Sequence, residues 1–186
     1  MYEKLKRGWL KTQLLFVTIK AKGESDMELP KRKTIRLKEY DYSTPNAYFI
    51  TVCTNKRENL FWKDVGAAIG RQEDVPLTAC GEVVRQSILS IPEHYPMISV
   101  DNYAVMPNHI HLLLQIHTDY DGRPMAAPTI SSVMNQMKGS TTKQIGFPIW
   151  QKGFYDHVIR GEADYKEIWQ YIDGNPGKWK EDKLFV

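Results

Sequence analysis

Ile98-Ser99-Val100-Asp101-Asn102-Tyr103-Ala104-Val105-Met106-Pro107-Asn108-His109-Ile110-His111-Leu112-Leu113-Leu114-Gln115-Ile116 is the stretch on which the fold turns. Two runs dense in apolar and β-branched residues flank Pro107-Asn108, a pair that favours a tight turn. Residues 98–106 and 109–116 therefore read as the strands of an antiparallel hairpin. Strand alternation sends Ile110, Leu112, Leu114 and Ile116 to one face and His109 and His111 to the other. The aliphatic face needs helices to cover it. The two imidazoles share a different environment, about 7 Å apart at the backbone.

Working outward, Ala47-Tyr48-Phe49-Ile50-Thr51-Val52-Cys53-Thr54 is rich in β-branched and aromatic residues and reads as a central strand. Residues 81–91 place Val84, Ile88 and Ile91 at i, i+4 and i+7, which predicts a helix with one buried stripe that Pro92 ends. Beyond a loop over 118–128, Ile130, Val133, Met134 and Met137 predict a second amphipathic helix. Phe154 to Ile159 reads as a fourth strand. Glu162 to Asp173 reads as a last helix, carrying Tyr165, Ile168 and Ile172 at helical spacing. Asn175-Pro176 is expected to close it, because the residue before a proline resists the α conformation. The order strand, helix, strand, strand, helix, strand, helix predicts an α+β domain. Its antiparallel sheet would have helices packed on it in the ferredoxin-like split βαβ (RRM-like) arrangement.

A chain of 186 residues suits one domain with a tail. Residues 1–30 read as a basic N-terminal extension and linker, and residues 31–186 as the domain. The net charge is only +3, yet residues 1–40 carry eleven Lys and Arg against five Asp and Glu, the kind of arm that meets an anionic polymer. The two cysteines, Cys53 and Cys80, make no disulfide framework. With no run of about 18 apolar residues, no transmembrane helix is expected. A soluble cytoplasmic protein with reduced thiols and no membrane partner is the expectation.

Two imidazoles on one strand face can converge on a divalent ion, although a His-x-His strand is more often structural or exposed. Completing donors would come from elsewhere in the chain. Tyr171 and Asn175 lie at i and i+4 on one helical face, beside the stripe of Ile168 and Ile172, where helix meets sheet. Both have blander roles open to them: an amphipathic core phenol for Tyr171, and a helix cap for Asn175. A four-ligand structural zinc site is not in view, because Cys53 and Cys80 do not form such a set.

Three segments in this order resemble one family. They are Ala104-Val105-Met106-Pro107-Asn108-His109-Ile110-His111-Leu112-Leu113, then Trp150-Gln151-Lys152-Gly153-Phe154-Tyr155-Asp156-His157-Val158-Ile159-Arg160, then Tyr171-Ile172-Asp173-Gly174-Asn175-Pro176-Gly177-Lys178-Trp179. Together they are similar to the single-domain tyrosine transposases of the His-hydrophobic-His superfamily, in the branch associated with repetitive extragenic palindromes (REPs). The resemblance covers roughly residues 31–180. It implies a metal-dependent single-stranded DNA endonuclease and strand transferase, with Tyr171 as nucleophile through a 5′-phosphotyrosine link. His109, His111 and Asn175 would hold Mg²⁺ or Mn²⁺, a site with few anionic ligands that loads firmly only beside a phosphate. Relatives often carry Gln where this chain has Asn175. Single-stranded or hairpin DNA is the implied partner, and a homodimer is left open, since relatives include monomers and dimers. Phosphate contacts are expected from Arg32, Lys33, Arg36, Lys138, Lys152, Arg160 and Lys178, with His157 as a supporting or DNA-contacting group. The competing reading is a domesticated hairpin-binding protein without turnover.

Overall fold

The computed structural model describes residues 40–64, 74–117 and 128–185. The expected boundary near residue 30 and the basic residues Arg32, Lys33 and Arg36 lie outside the described residues. Four strands, β1 (Ala47–Cys53), β2 (Ile98–Val105), β3 (His109–Ile116) and β4 (Tyr155–Val158), form an antiparallel sheet in the order β2-β3-β1-β4. Because β3 inserts between β1 and β2, the connection from β1 through a helix to β2 is a split βαβ unit, as the element order predicts.

β1 is buried from Ala47 through Val52, which suits a mostly apolar run at the centre of a sheet, its one hydroxyl-bearing β-branched residue, Thr51, included. β3 pairs with it in a register that sets His109 opposite Cys53 and His111 opposite Thr51. Ile110, Leu112 and Leu114 are fully buried on the face away from the histidines. Helices α1 (Ala79–Leu89) and α3 (Ile130–Ile145) contact each other, and Val84, Ile88, Val133, Met134 and Met137 from them complete that apolar layer.

The first helix starts two residues earlier than its periodicity suggests, because Thr78 accepts a hydrogen bond from Gly81 N–H at 3.1 Å and caps it. Pro92 does not stop it. The chain breaks at Ser90, and Pro92 falls in the first turn of a short helix α2 (Ile91–His94), where a missing N–H leaves nothing unsatisfied.

Helix α4 (Glu162–Gly174) contacts β2 and β3 on the histidine face. Two contacts from β2 fix its placement. The register slips between Val100 and Asn102, a bulge beside which Asp101 accepts from Tyr165 Oη–H at 2.8 Å while Asn102 Nδ2 donates to the Trp169 carbonyl at 3.3 Å. At the helix start, Asp164 Oδ2 accepts from Arg160 N–H at 2.8 Å.

The expected stop at Asn175-Pro176 is only partly observed. Asn175 sits in the right-handed helical region (φ −67°, ψ −41°) despite the proline after it, and the chain continues as a 3₁₀ segment, Pro176–Glu181. Burial of Asn175, Pro176 and Trp179 accompanies this departure from the pre-proline bias.

Gly81 gives the core its tightest requirement for a small residue: a Cβ there would stand 2.4 Å from the Phe61 carbonyl oxygen. Gly81→Ala should lower stability by about 1–3 kcal/mol, outweighing alanine's better helix propensity, and show as a lower urea midpoint at unchanged m-value.

Candidate active site

The site starts from the turn between β2 and β3. Asn108 is fully buried, and its side chain bonds in two directions. Its Oδ1 accepts from His109 Nδ1–H at 2.8 Å, while its Nδ2 donates to the Leu184 carbonyl at 2.8 Å and reaches the Arg57 carbonyl at 3.4 Å. An amide oxygen can only accept, so His109 carries its proton on Nδ1 and presents a bare Nε2. His111 Nδ1 lies 2.9 Å from Thr51 Oγ1, its neighbour in the β1 register. The two Nε2 atoms then face each other 3.0 Å apart.

In the protein alone, one proton reconciles this arrangement: Thr51 Oγ1–H donates to His111 Nδ1, and His111 Nε2–H donates to His109 Nε2. If Thr51 accepts instead, both Nε2 lone pairs become available to a cation. Two neutral imidazoles without a set of thiolates fit a loosely held divalent ion better than a structural zinc.

Both imidazoles are completely buried. Burial pushes His111 down to about 3 and His109 well below its ordinary value, with His111 and the Arg57 guanidinium adding to the effect on His109. Both stay neutral across the physiological range. Arg57 comes from a turn in which Lys56 (φ 53°) and Arg57 (φ 58°) are left-handed.

Tyr171 projects from the last full turn of α4 and puts its hydroxyl 3.4 Å from His111 Nε2, within a single chain. Phe49 orders both rings: it stacks on His111 at 5.2 Å and meets Tyr171 edge-on at 5.9 Å. Trp179 lies 6.0 Å from the His109 ring and is flanked by Trp62 and Phe185 at 6.3 and 5.2 Å.

Asn175 is brought to this region and is 4% exposed, with no acceptor in full hydrogen-bond geometry for its Nδ2. Its amide acts on the Asp182 carboxyl, which burial raises and the Leu184 N–H, Asn175, Lys183 and Arg57 hold down. Asp182 is the residue that sequence reasoning missed. Its carboxylate and the nitrogens of His109 and His111 all lie within 4.8 Å of one another.

The remaining expected residues divide. His157 stands opposite Phe49 on β4, but its Nε2 pairs with Asp164 Oδ2 at 3.0 Å, so it fastens the start of α4. Lys138 directs its ammonium to the carbonyls of Gln151 and Gly153, each at 2.8 Å, and so braces the loop before β4. Lys152, Arg160 and Lys178 are exposed. Trp150 donates to Thr141 Oγ1 of α3 at 2.8 Å. No helix among the described residues is long and apolar enough to cross a membrane.

No family model matches the chain. An uncharacterised protein of Haemophilus influenzae is 33% identical over 174 residues, spanning 83% of this chain and 93% of its own length. The REP-associated tyrosine transposase of Escherichia coli K12 is 28% identical over 103 residues. That match spans 55% of this chain and 58% of the transposase, little more than half of its length. Among solved structures, a REP-associated tyrosine transposase bound to a REP hairpin superposes with a TM-score of 0.55 at 23% identity, over 78% of this chain and 74% of that one. This likeness is one of fold.

Two imidazoles held neutral by burial tie stability to pH. The unfolded chain takes up a proton at each near pH 6.5 and the folded chain does not, so their contribution is complete above that value and is lost as pH falls toward their folded values. Denaturation with a chelator present should show stability declining below pH 6.5 by up to about 1.4 kcal/mol per pH unit for each histidine. His111→Asn should flatten that slope by roughly half.

Proposed function

Because the chain belongs to the tyrosine transposase family of DNA-transposing enzymes, we propose that it nicks and rejoins single-stranded DNA at hairpin-forming sites, with Tyr171 as the nucleophile. The observation that carries this reading is the Tyr171 hydroxyl 3.4 Å from His111 Nε2, beside a pair of buried neutral imidazoles whose Nε2 atoms face each other. His109, His111 and Asn175 would hold Mg²⁺ or Mn²⁺. Such an ion would draw charge from the non-bridging oxygens of a scissile phosphate and fix its orientation.

The protein's own groups account for the rest. A free phenol has a pKa near 10, so Tyr171 must shed its proton as it attacks. Phe49 and His111 restrict its ring, limiting the loss of orientation that a mobile side chain would bring. Attack on phosphorus forms the Tyr171 O–P bond and breaks the bond to the upstream 3′ oxygen. The products are a 5′-phosphotyrosine and a free 3′-hydroxyl. The covalent link retains the phosphodiester energy, so another 3′-hydroxyl can reverse the step and join strands without ATP.

Lys152, Arg160 and Lys178 are exposed and suited to phosphate contacts, and Arg32, Lys33 and Arg36 are proposed as further phosphate-contacting residues. Lys138 is a weaker candidate because two carbonyls already occupy its ammonium. The hairpin held by the structural neighbour supports hairpin DNA as the partner class.

A REP-type hairpin oligonucleotide labelled at its 3′ end, incubated with the protein and Mn²⁺, should give a labelled adduct that survives denaturing electrophoresis. Tyr171→Phe should reduce the adduct at least ~10²-fold while hairpin affinity stays within about twofold. An undiminished adduct in that variant removes Tyr171 from its role. Tight, salt-sensitive binding with no adduct under any divalent ion would favour a hairpin-binding protein without turnover.

A further inference from the structure

We infer that Asp182 is the anionic ligand of the cation site, which lets this chain hold a divalent ion before any DNA arrives. The inference rests on the proposed metal-dependent reading and adds a residue to it. His109, His111 and Asn175 are all uncharged, so together they would offer a cation dipoles without a counter-charge. Mg²⁺ and Mn²⁺ favour carboxylate and water oxygens, and a wholly neutral donor set would depend on the scissile phosphate for its negative charge.

The geometry supplies the charge from the chain itself. After α4, the 3₁₀ segment Pro176–Glu181 turns the backbone so that Asp182 returns to the two histidines, its carboxylate within 4.8 Å of their nitrogens. One oxygen, Oδ1, is fixed by the Leu184 N–H at 2.6 Å. That bond orients the group, on which the Asn175 amide also acts. Leu184 is in turn held through its carbonyl by Asn108 Nδ2, the amide whose oxygen sets the His109 tautomer. Carboxylate and imidazole are thus positioned by the same buried side chain.

A second buried polar group converges on the same place. Asn175, nine-tenths buried, turns its amide toward Asp182 and helps hold that carboxyl down, although no partner of its Nδ2 meets hydrogen-bond geometry. In the opposite amide orientation its Oδ1 would take that place, which a cation would favour and a carboxylate alone would not. Outward-facing carboxylates are common and mean little, but Asp182 is partly buried and converges with two buried imidazoles.

The test is a Mn²⁺ titration of the full chain without DNA, read by electron paramagnetic resonance of the free ion and by calorimetry. Wild type should bind one equivalent. Asp182→Asn keeps an oxygen for the Leu184 N–H and should weaken Mn²⁺ at least tenfold, while His109→Ala removes binding. Asp182→Ser, whose hydroxyl can also accept from Leu184, guards against a folding artefact and should weaken binding similarly. Two results overturn the inference: Asp182→Asn within twofold of wild type, or no wild-type binding until hairpin DNA is added. In either case a Mn²⁺-dependent adduct that still requires His109 would leave the proposed function standing.

Discussion

A bare Nε2 on His109, pointed at a second imidazole, is the constraint around which the site is arranged. Nothing intrinsic to histidine selects that tautomer in a buried strand. It is imposed by the Asn108 amide oxygen, and that amide is itself held because its nitrogen bonds the Leu184 carbonyl. An unpaired polar group in such a place would cost about 1–3 kcal/mol, so each link in the chain stabilises the next. Sheet and tail meet at one side chain. The β1 register contributes the matching contact, with Thr51 directly opposite His111.

The lattice of sheet and helices was legible because it follows from periodicity. Period-two alternation in residues 109–116 separated the histidine face from the aliphatic face, and the i, i+4 relation of Tyr171 and Asn175 put both at the seam between helix and sheet. Asp182 was not legible. It lies beyond a proline that reads as a helix stop, and it reaches the histidines only because Asn175 adopts a helical conformation that the proline disfavours. Asn108 was visible only as a turn former, since no local signal discloses that a turn amide will also set a tautomer. Charge likewise grouped Lys138 with the phosphate-contacting cations, while His157 was expected as a supporting or DNA-contacting group. One braces the carbonyls before β4 and the other anchors the first turn of α4, both destinations set by tertiary contacts.

Placement of the nucleophile follows from the opposite end of its helix. Tyr171 lies near the C-terminus of α4, but the contacts that position α4 come from its first two turns: Asp164 with His157 and Arg160, Tyr165 with Asp101, and Trp169 with Asn102. The β2 bulge is part of that anchoring. A helix is stiff over this length, so polar contacts remote from the chemistry determine where the phenol sits.

The turn at Lys56 and Arg57 shows how such a site trades against robustness. Two successive side-chain-bearing residues are left-handed there, a conformation that disfavours L-residues by about 1–2 kcal/mol each. Glycine would relieve the strain. It would also delete, at position 57, the guanidinium that helps keep His109 unprotonated. Selection for thermal endurance alone would drive this corner toward glycine, and a hardier protein with an altered electrostatic environment around its histidines would result.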